Sequence, residues 1–153
     1  MIEKGPAMSL DGVYDEQNIF ARILRGEVPA ARICEDEATL AFMDVFPQSR
    51  GHALVVHRTS KARNLLEVSA QDLCAVMGAV QRVTRAVRAA LAPDGVMISQ
   101  FNGAPAGQTI FHLHVHIIPR WNDVPLGRHG AGGMANVQDL AELAGEIAAH
   151  LDL

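Results

Sequence analysis

The chain has 153 residues, of which 49% are hydrophobic and 20% charged, and its formal net charge is −4. This composition is that of an ordinary globular protein, and the length suits one domain with a single core. The negative charge argues against general binding to nucleic acid or to anionic membranes, since both need a basic surface, and we expect neither among its partners.

The first residues, 1–14, contain no apolar run that could act as a signal peptide. We predict a disordered leader over 1–14, in which Met8 could equally be the start, and a single domain over 15–153. No stretch approaches 18 consecutive apolar residues. Cys34 and Cys74 lie far apart and form no CxxC pair, which indicates two free thiols in a reducing compartment. We therefore expect a cytoplasmic protein.

The amino-terminal part of the domain predicts one short helix and three strands. Asn18 is a suitable N-cap for an amphipathic helix over Ile19–Arg25, and Gly26 ends that helix. Runs rich in apolar residues, separated by turn-forming residues, then predict the strands Ala31–Glu35, Thr39–Asp44 and His52–His57.

The second half predicts the longest helix, two strands and a final helix. Apolar residues recur at helical spacing from Ser69 to Leu91, and Pro93-Asp94-Gly95 stops that helix. Strands without βαβ alternation around one long helix indicate an α+β fold with a mainly antiparallel sheet. The remaining predicted elements are the strands Val96–Phe101 and Ile110–Ile118, a Gly-rich mobile loop at 127–133, and a helix from Val137 to Leu151.

Three histidines, His112, His114 and His116, alternate with Leu113 and Val115 in the last predicted strand. Period 2 is typical of a strand that is buried on one face, so all three imidazoles would project from the other face. The outer two would lie roughly 13 Å apart along the backbone, which is awkward for a single metal ion. Such a row suits an elongated polar substrate instead.

Three interpretations of this row remain open on residue pattern alone. A purely structural row is hard to explain, because each buried imidazole must find a hydrogen-bond partner. A metal site could use two of the three histidines. A catalytic or nucleotide-binding row is the interpretation that we favour.

The segment His112–Ile118 matches the motif His-φ-His-φ-His-φ-φ in full. At this motif the chain resembles the histidine triad (HIT) family of nucleotide hydrolases and transferases. The likeness covers residues of roughly 18 to 120, and Asn18–Ala30, Leu40–Val45 and Pro47–Val56 resemble the Hint-like branch. Pro119-Arg120 is shared with the Fhit-like branch.

This resemblance implies a HIT-like fold, with a five-stranded sheet, one long helix and shorter terminal helices, assembled as a homodimer. It also implies hydrolysis at the α-phosphate of a purine nucleotide conjugate through a covalent nucleotidyl-histidine, with His114 as the nucleophile. His52, His112 and His116 would complete the catalytic group. Whether the substrate is a nucleoside phosphoramidate or a dinucleoside polyphosphate stays open.

The resemblance also implies a nucleotide-binding set. Asp44 would bind the ribose hydroxyls, and Asn102, Gly107, Gln108 and Thr109 would hold ribose and phosphate. The chemistry is suitable, because a neutral imidazole is a good nucleophile near pH 7 and a Gly-containing turn can direct N–H groups at phosphate oxygens. The expected base pocket consists of Ile19, Phe20, Ile23, Phe42, Val45 and Leu54.

Some relatives carry an amino-terminal cysteine pair that binds structural zinc together with distant histidines. Here the corresponding residues are Asn18-Ile19-Phe20-Ala21, so we expect no structural zinc, no metal ligands and no required cofactor. Two alternatives to the hydrolase remain: a nucleotide-binding or adaptor protein with incidental turnover, and a metal-dependent hydrolase that uses two triad histidines with Asp44 or His52. His57, His129 and His150 match no motif, and no role is predicted for them.

Overall fold

The computed structural model describes residues 10–129 and 132–151. Its five strands form one antiparallel sheet in the order β1-β2-β3-β5-β4. The prediction of an α+β fold with an antiparallel five-stranded sheet, one long helix and shorter terminal helices is confirmed. The elements are α1 (Ile19–Leu24), β1 (Arg32–Glu35), β2 (Thr39–Met43), β3 (Ala53–His57), α2 (Ala70–Leu91), β4 (Gly95–Ser99), a 3₁₀ turn (Ala104–Ala106), β5 (His114–Arg120) and α3 (Val137–Ala148).

Side-chain caps fix where the helices begin. The side chain of Asn18 accepts hydrogen bonds from the backbone N–H groups of Phe20 and Ala21. Ser69 accepts from the N–H of Asp72 at the start of α2. Because these caps satisfy N–H groups that have no partner within the helix, both predicted helix starts are found within one residue.

The sheet divides the apolar side chains into two clusters, one on each face. The larger cluster packs α2 and α3 against alternate residues of the central strands, such as Val55, Val115 and Ile117. The smaller cluster lies on the opposite face, where α1 and the loop residues Val28, Ala30 and Ile110 pack against it. Its buried members are Phe20, Ile23, Leu40, Phe42, Leu54 and Val56.

The register places two triad histidines on the face with the smaller cluster. In the pairing of β3 with β5, Leu54 lies opposite His116 and Val56 lies opposite His114. Residues that are directly opposite in an antiparallel pair share a face, so these two imidazoles stand beside the apolar residues that α1 covers. The site therefore forms where a polar row borders a small apolar core.

The predicted strand Ile110–Ile118 is wrong at its start, because β5 begins only at His114. The backbone N–H of Leu113 donates to the carbonyl of Ala62, in the loop after β3, instead of pairing within the sheet. His112 thus lies before the strand. The expected row of three imidazoles is reduced to two on β5.

The expected leader overlaps residues that the structure describes. Residues 1–9 lie outside the described part, whereas the carbonyl of Leu10 accepts a hydrogen bond from Asn64 and the Tyr14 hydroxyl contacts His112. Leu10 and Tyr14 therefore contact the domain, whereas residues 11–13 are exposed. None of the helices within the described ranges has the length and apolar character needed to cross a membrane.

Candidate active site

A cavity of about 590 Å³ opens on the face of the sheet that carries the smaller apolar cluster. Its volume lies in the range of small-molecule sites. All six residues expected to form the base pocket line it: Ile19, Phe20, Ile23, Phe42, Val45 and Leu54. The lining residues that the sequence did not indicate are Pro29, Ala30, Met43, Phe46, Gln48, Phe101, Ile110 and His129.

His114 lines the polar side of this cavity, and one of its ring nitrogens is engaged in a hydrogen bond to the backbone. Its Nδ1 lies 2.6 Å from the carbonyl oxygen of His112, and a carbonyl can only accept, so Nδ1 carries the proton. Burial lowers the pKa of His114 below its ordinary value, which keeps the ring neutral near pH 7. Nε2 is therefore left with a free lone pair, which is the state a nucleophile requires.

The tautomer of His116 is set through His52. The backbone N–H of Gln48 donates to Nδ1 of His52 at 3.0 Å, so the proton of His52 is on Nε2. That nitrogen lies 2.9 Å from Nδ1 of His116, which must accept. His116 consequently carries its own proton on Nε2. Burial lowers the pKa of His52 to about 4 and that of His116 to about 3, so both rings stay neutral.

Within residues 10–129 and 132–151, Asp44, His52 and His116 form the group whose ligand atoms are close enough to be considered as a metal site. Their ligand atoms lie within 4.8 Å of one another and all three residues are buried. A metal would need a lone pair on Nε2 of His52. The hydrogen bond from the Gln48 N–H to Nδ1, however, places the proton of His52 on Nε2. The donor set therefore fits a hydrogen-bond network better than a metal ion.

His112 does not line the cavity. Its Nδ1 lies 2.7 Å from the hydroxyl of Tyr14, and burial lowers the pKa of His112 to about 4. Its contribution to the site is the backbone carbonyl that fixes His114. Tyr14, whose pKa is raised mainly by burial, comes from a segment that the sequence did not connect with the site.

Asp44 is buried and has several partners. Its Oδ1 accepts the N–H of Phe46 at 2.8 Å, while Oδ2 lies 2.8 Å from Nε2 of His129 and 3.4 Å from Nε2 of His52. His129 is thus a site residue that the sequence missed. It lies 85 positions from Asp44 in a Gly-rich segment, and no periodic pattern marked it.

Of the four residues predicted in the loop before β5, two line the cavity and two do not. Gly107 and Thr109 line the cavity. The buried Gln108 side chain instead bonds Gly103, Arg63 and Ile110 through their backbones, and Asn102 bonds Gln100 and the N–H of Leu65. These two side chains are therefore engaged within the loop itself and not in the cavity.

The fold and the site together define a small α+β protein with a histidine-centred ligand cavity on one face of an antiparallel sheet. The profile of the HIT domain matches residues 25–123, well over half of the chain. The chain therefore belongs to the HIT family.

Similar proteins come from distant organisms. The chain is 39% identical over 106 residues to Protein hit of Bacillus subtilis, covering 69% of this chain and 72% of that one. It is 35% identical over 105 residues to the adenosine 5'-monophosphoramidase hnt1 of Schizosaccharomyces pombe, covering 69% and 75%. A Hit-like protein from Bartonella henselae, solved with an unknown ligand, superposes with a TM-score of 0.85 at 41% identity, covering 90% and 98%.

Proposed function

We propose that this protein hydrolyses a purine nucleotide conjugate at the α-phosphate, through a nucleotide bound covalently to His114. The observation that carries the proposal is the bond from Nδ1 of His114 to the His112 carbonyl, since it leaves Nε2 as a free nucleophile. The name of the Schizosaccharomyces pombe relative, an adenosine 5'-monophosphoramidase, supports this class of reaction.

The cavity supports a nucleotide as ligand. Its apolar half can bury a purine. The six residues of the expected pocket carry no side-chain donor or acceptor that could recognise the edge of the base. Asp44 can accept hydrogen bonds from the ribose hydroxyls. Gly107 and Thr109 line the cavity, and we expect their backbone and hydroxyl groups to bind the phosphate oxygens.

The reaction would have two steps. In the first, Nε2 of His114 attacks the α-phosphorus, the bond to the leaving group breaks, and a neighbouring histidine or hydroxyl supplies a proton to that group. In the second, water attacks the phosphorus, the P–N bond to His114 breaks, and the nucleoside monophosphate leaves with release of a proton.

A binding or adaptor protein, the first alternative, would not require a nucleophile. A neutral histidine with a fixed tautomer and a free nitrogen favours the enzyme. A metal-dependent hydrolase would require His52 to exchange its proton for a metal ion, which the bond from Gln48 disfavours. No cofactor is required in the mechanism that we propose.

The test is a single preparation assayed with adenosine phosphoramidate and with diadenosine tri- and tetraphosphate. We expect turnover of at least one, and a labelled α-phosphoryl group trapped on the protein after quenching in an alkaline denaturant, in which a P–N bond to histidine survives. His114→Ala should abolish both turnover and trapping while AMP binding stays within about tenfold, because only transition-state contacts are lost. Label trapped on another residue would overturn the assignment of His114.

We also propose a homodimer. β4 is an outer strand of the sheet with β5 as its one neighbour, and Ile98 on it is exposed. An apolar edge strand of this kind is a template for pairing with a second copy. The cytoplasmic location stays a prediction, with which the free thiols of Cys34 and Cys74 agree.

A further inference from the structure

The contact between His129 and Asp44 has a definite direction. A carboxylate can only accept, so Nε2 of His129, 2.8 Å from Oδ2, carries the proton and donates it. The Asp44 side chain is 5% exposed and that of His129 is 42% exposed. The donor thus reaches from the cavity mouth to a buried acceptor.

The segment that carries His129, residues 121–129, is held against the loop after β2. The side chain of Gln48 donates to the carbonyl of Gly127 at 3.0 Å, and the Gly127 N–H donates back to the carbonyl of Gln48 at 3.3 Å. The His129 ring also packs edge-on against Phe46, with 6.1 Å between ring centroids. This anchoring keeps the imidazole beside Asp44.

We propose that His129 competes with ribose for Asp44: it occupies the place that the ribose hydroxyls would take on the carboxylate, and sugar selectivity is set by the exchange of these donors. This inference rests on the proposed function, in which Asp44 binds the ribose. A 2',3'-diol brings two O–H donors and can replace the one donor of His129. A sugar without those hydroxyls offers no replacement, so the bond between His129 and Asp44 persists.

Three variants at two neighbouring positions separate hydrogen bonding from bulk. His129→Ala removes both the donor and the ring, whereas His129→Phe keeps a ring of similar size without a donor. Arg128→Ala changes the adjacent exposed residue and is the matched control. Binding of AMP and of 2',3'-dideoxyadenosine monophosphate would be measured by titration calorimetry on each protein.

We expect both His129 variants to bind AMP more tightly than wild type, by about 3- to 10-fold, which corresponds to one net hydrogen bond. Binding of the dideoxy nucleotide should stay within about twofold, and Arg128→Ala should match wild type for both ligands. In an Asp44→Asn background the effect of His129→Ala should disappear, as expected of two groups that act on one another.

Other outcomes overturn the proposal in distinguishable ways. Tighter AMP binding in His129→Ala but not in His129→Phe would show that the ring acts by bulk. Unchanged or weaker AMP binding in both variants would show that His129 does not compete for Asp44. If wild type binds no AMP at all, the proposed function fails together with the competition. If AMP binding is intact and sensitive to Asp44→Asn, only the competition is at stake.

Discussion

The protons of three site histidines are assigned by neighbouring groups whose roles are fixed. The Gln48 N–H and the His112 carbonyl can each play only one role in a hydrogen bond, donor and acceptor respectively. From them follow the tautomers of His52, His114 and His116. His52 was predicted as a catalytic residue, and we propose that it positions His116.

This role predicts different results for two conservative changes at position 52. His52→Gln keeps a donor near His116, while His52→Asn keeps only an acceptor for Gln48. We expect His52→Asn and His52→Ala to lower kcat by about 10- to 100-fold, the range given by orienting partners, with little change in KM. His52→Gln should restore most of that kcat, as measured by steady-state kinetics. Equal losses in all three variants would contradict a tautomer-fixing role.

The sequence could predict His114 and His116 as site residues because the alternation of period 2 is local. It could not predict His129, since the contact with Asp44 joins positions 85 apart through an irregular segment. Tyr14 was missed for the same reason: its partner, His112, lies 98 positions away. Long-range hydrogen bonds of single side chains leave no periodic signal.

At the level of elements, most boundaries follow from caps and from local alternation, whereas the start of β5 does not. The apolar and polar residues alternate from Phe111 onward, and Ile110 before them is apolar as well, so the pattern alone extends the strand too far. The N–H of Leu113 bonds to Ala62, and that choice of partner depends on how a distant loop folds. Register and pairing order depended on tertiary contacts in the same way.

The connection between β2 and β3 touches the end of α2 at Gly51. Its φ is +90°, and a Cβ there would meet Cδ1 of Leu91 at 2.5 Å and Cγ of Pro119 at 3.2 Å. We predict that Gly51→Ala lowers the free energy of unfolding by about 1–3 kcal/mol, from backbone strain together with this overlap. Urea denaturation would measure the change.

Gly26 offers a matched control for that substitution. Its φ is +78°, yet a Cβ there would meet nothing within 4 Å. Gly26→Ala should therefore cost about 1 kcal/mol from strain alone. Equal costs at both positions would show that the contact with Leu91 relaxes freely, and Leu91→Ala combined with Gly51→Ala would then give no recovery.

For the whole molecule, the buried histidines predict how stability depends on pH. Burial lowers the pKa of His52, His112 and His116 to about 4, 4 and 3, whereas an unfolded chain has histidine pKa values of about 6.5. Below about pH 6.5 the unfolded state therefore binds protons that the folded state does not. The contribution of these histidines to the free energy of unfolding is therefore fully present above about pH 6.5 and is lost as the pH falls toward about 4.

The expected slope is up to about 1.4 kcal/mol per pH unit for each of these histidines. Denaturant unfolding between about pH 7.5 and about pH 5 would measure it, above the range in which ordinary carboxyl groups titrate. His52→Gln should reduce the slope, since it removes one of the buried imidazoles whose pKa is lowered. A free energy of unfolding that is flat with pH would contradict the prediction.

The proposed dimer can be tested at the edge of the sheet. Ile98 on β4 is 41% exposed, and a charge on an edge strand opposes pairing. We expect sedimentation to show a dimer at micromolar concentration, and Ile98→Lys to shift it toward the monomer. Met134→Lys, at an exposed apolar residue outside the strands, is the control. If the wild-type protein sediments as a monomer at micromolar concentration, the prediction of a dimer is wrong.

Several residues of the smaller apolar cluster pack against protein on one side and line the cavity on the other. Six of its members are buried, but the same Phe20, Phe42 and Leu54 also line an open cavity, so part of their surface has no protein neighbour. A bound base would supply that neighbour and finish the layer between α1 and the sheet. Occupancy would then raise the melting temperature and give binding a negative heat capacity change. A bound ligand would therefore stabilise the fold as well as fill the cavity.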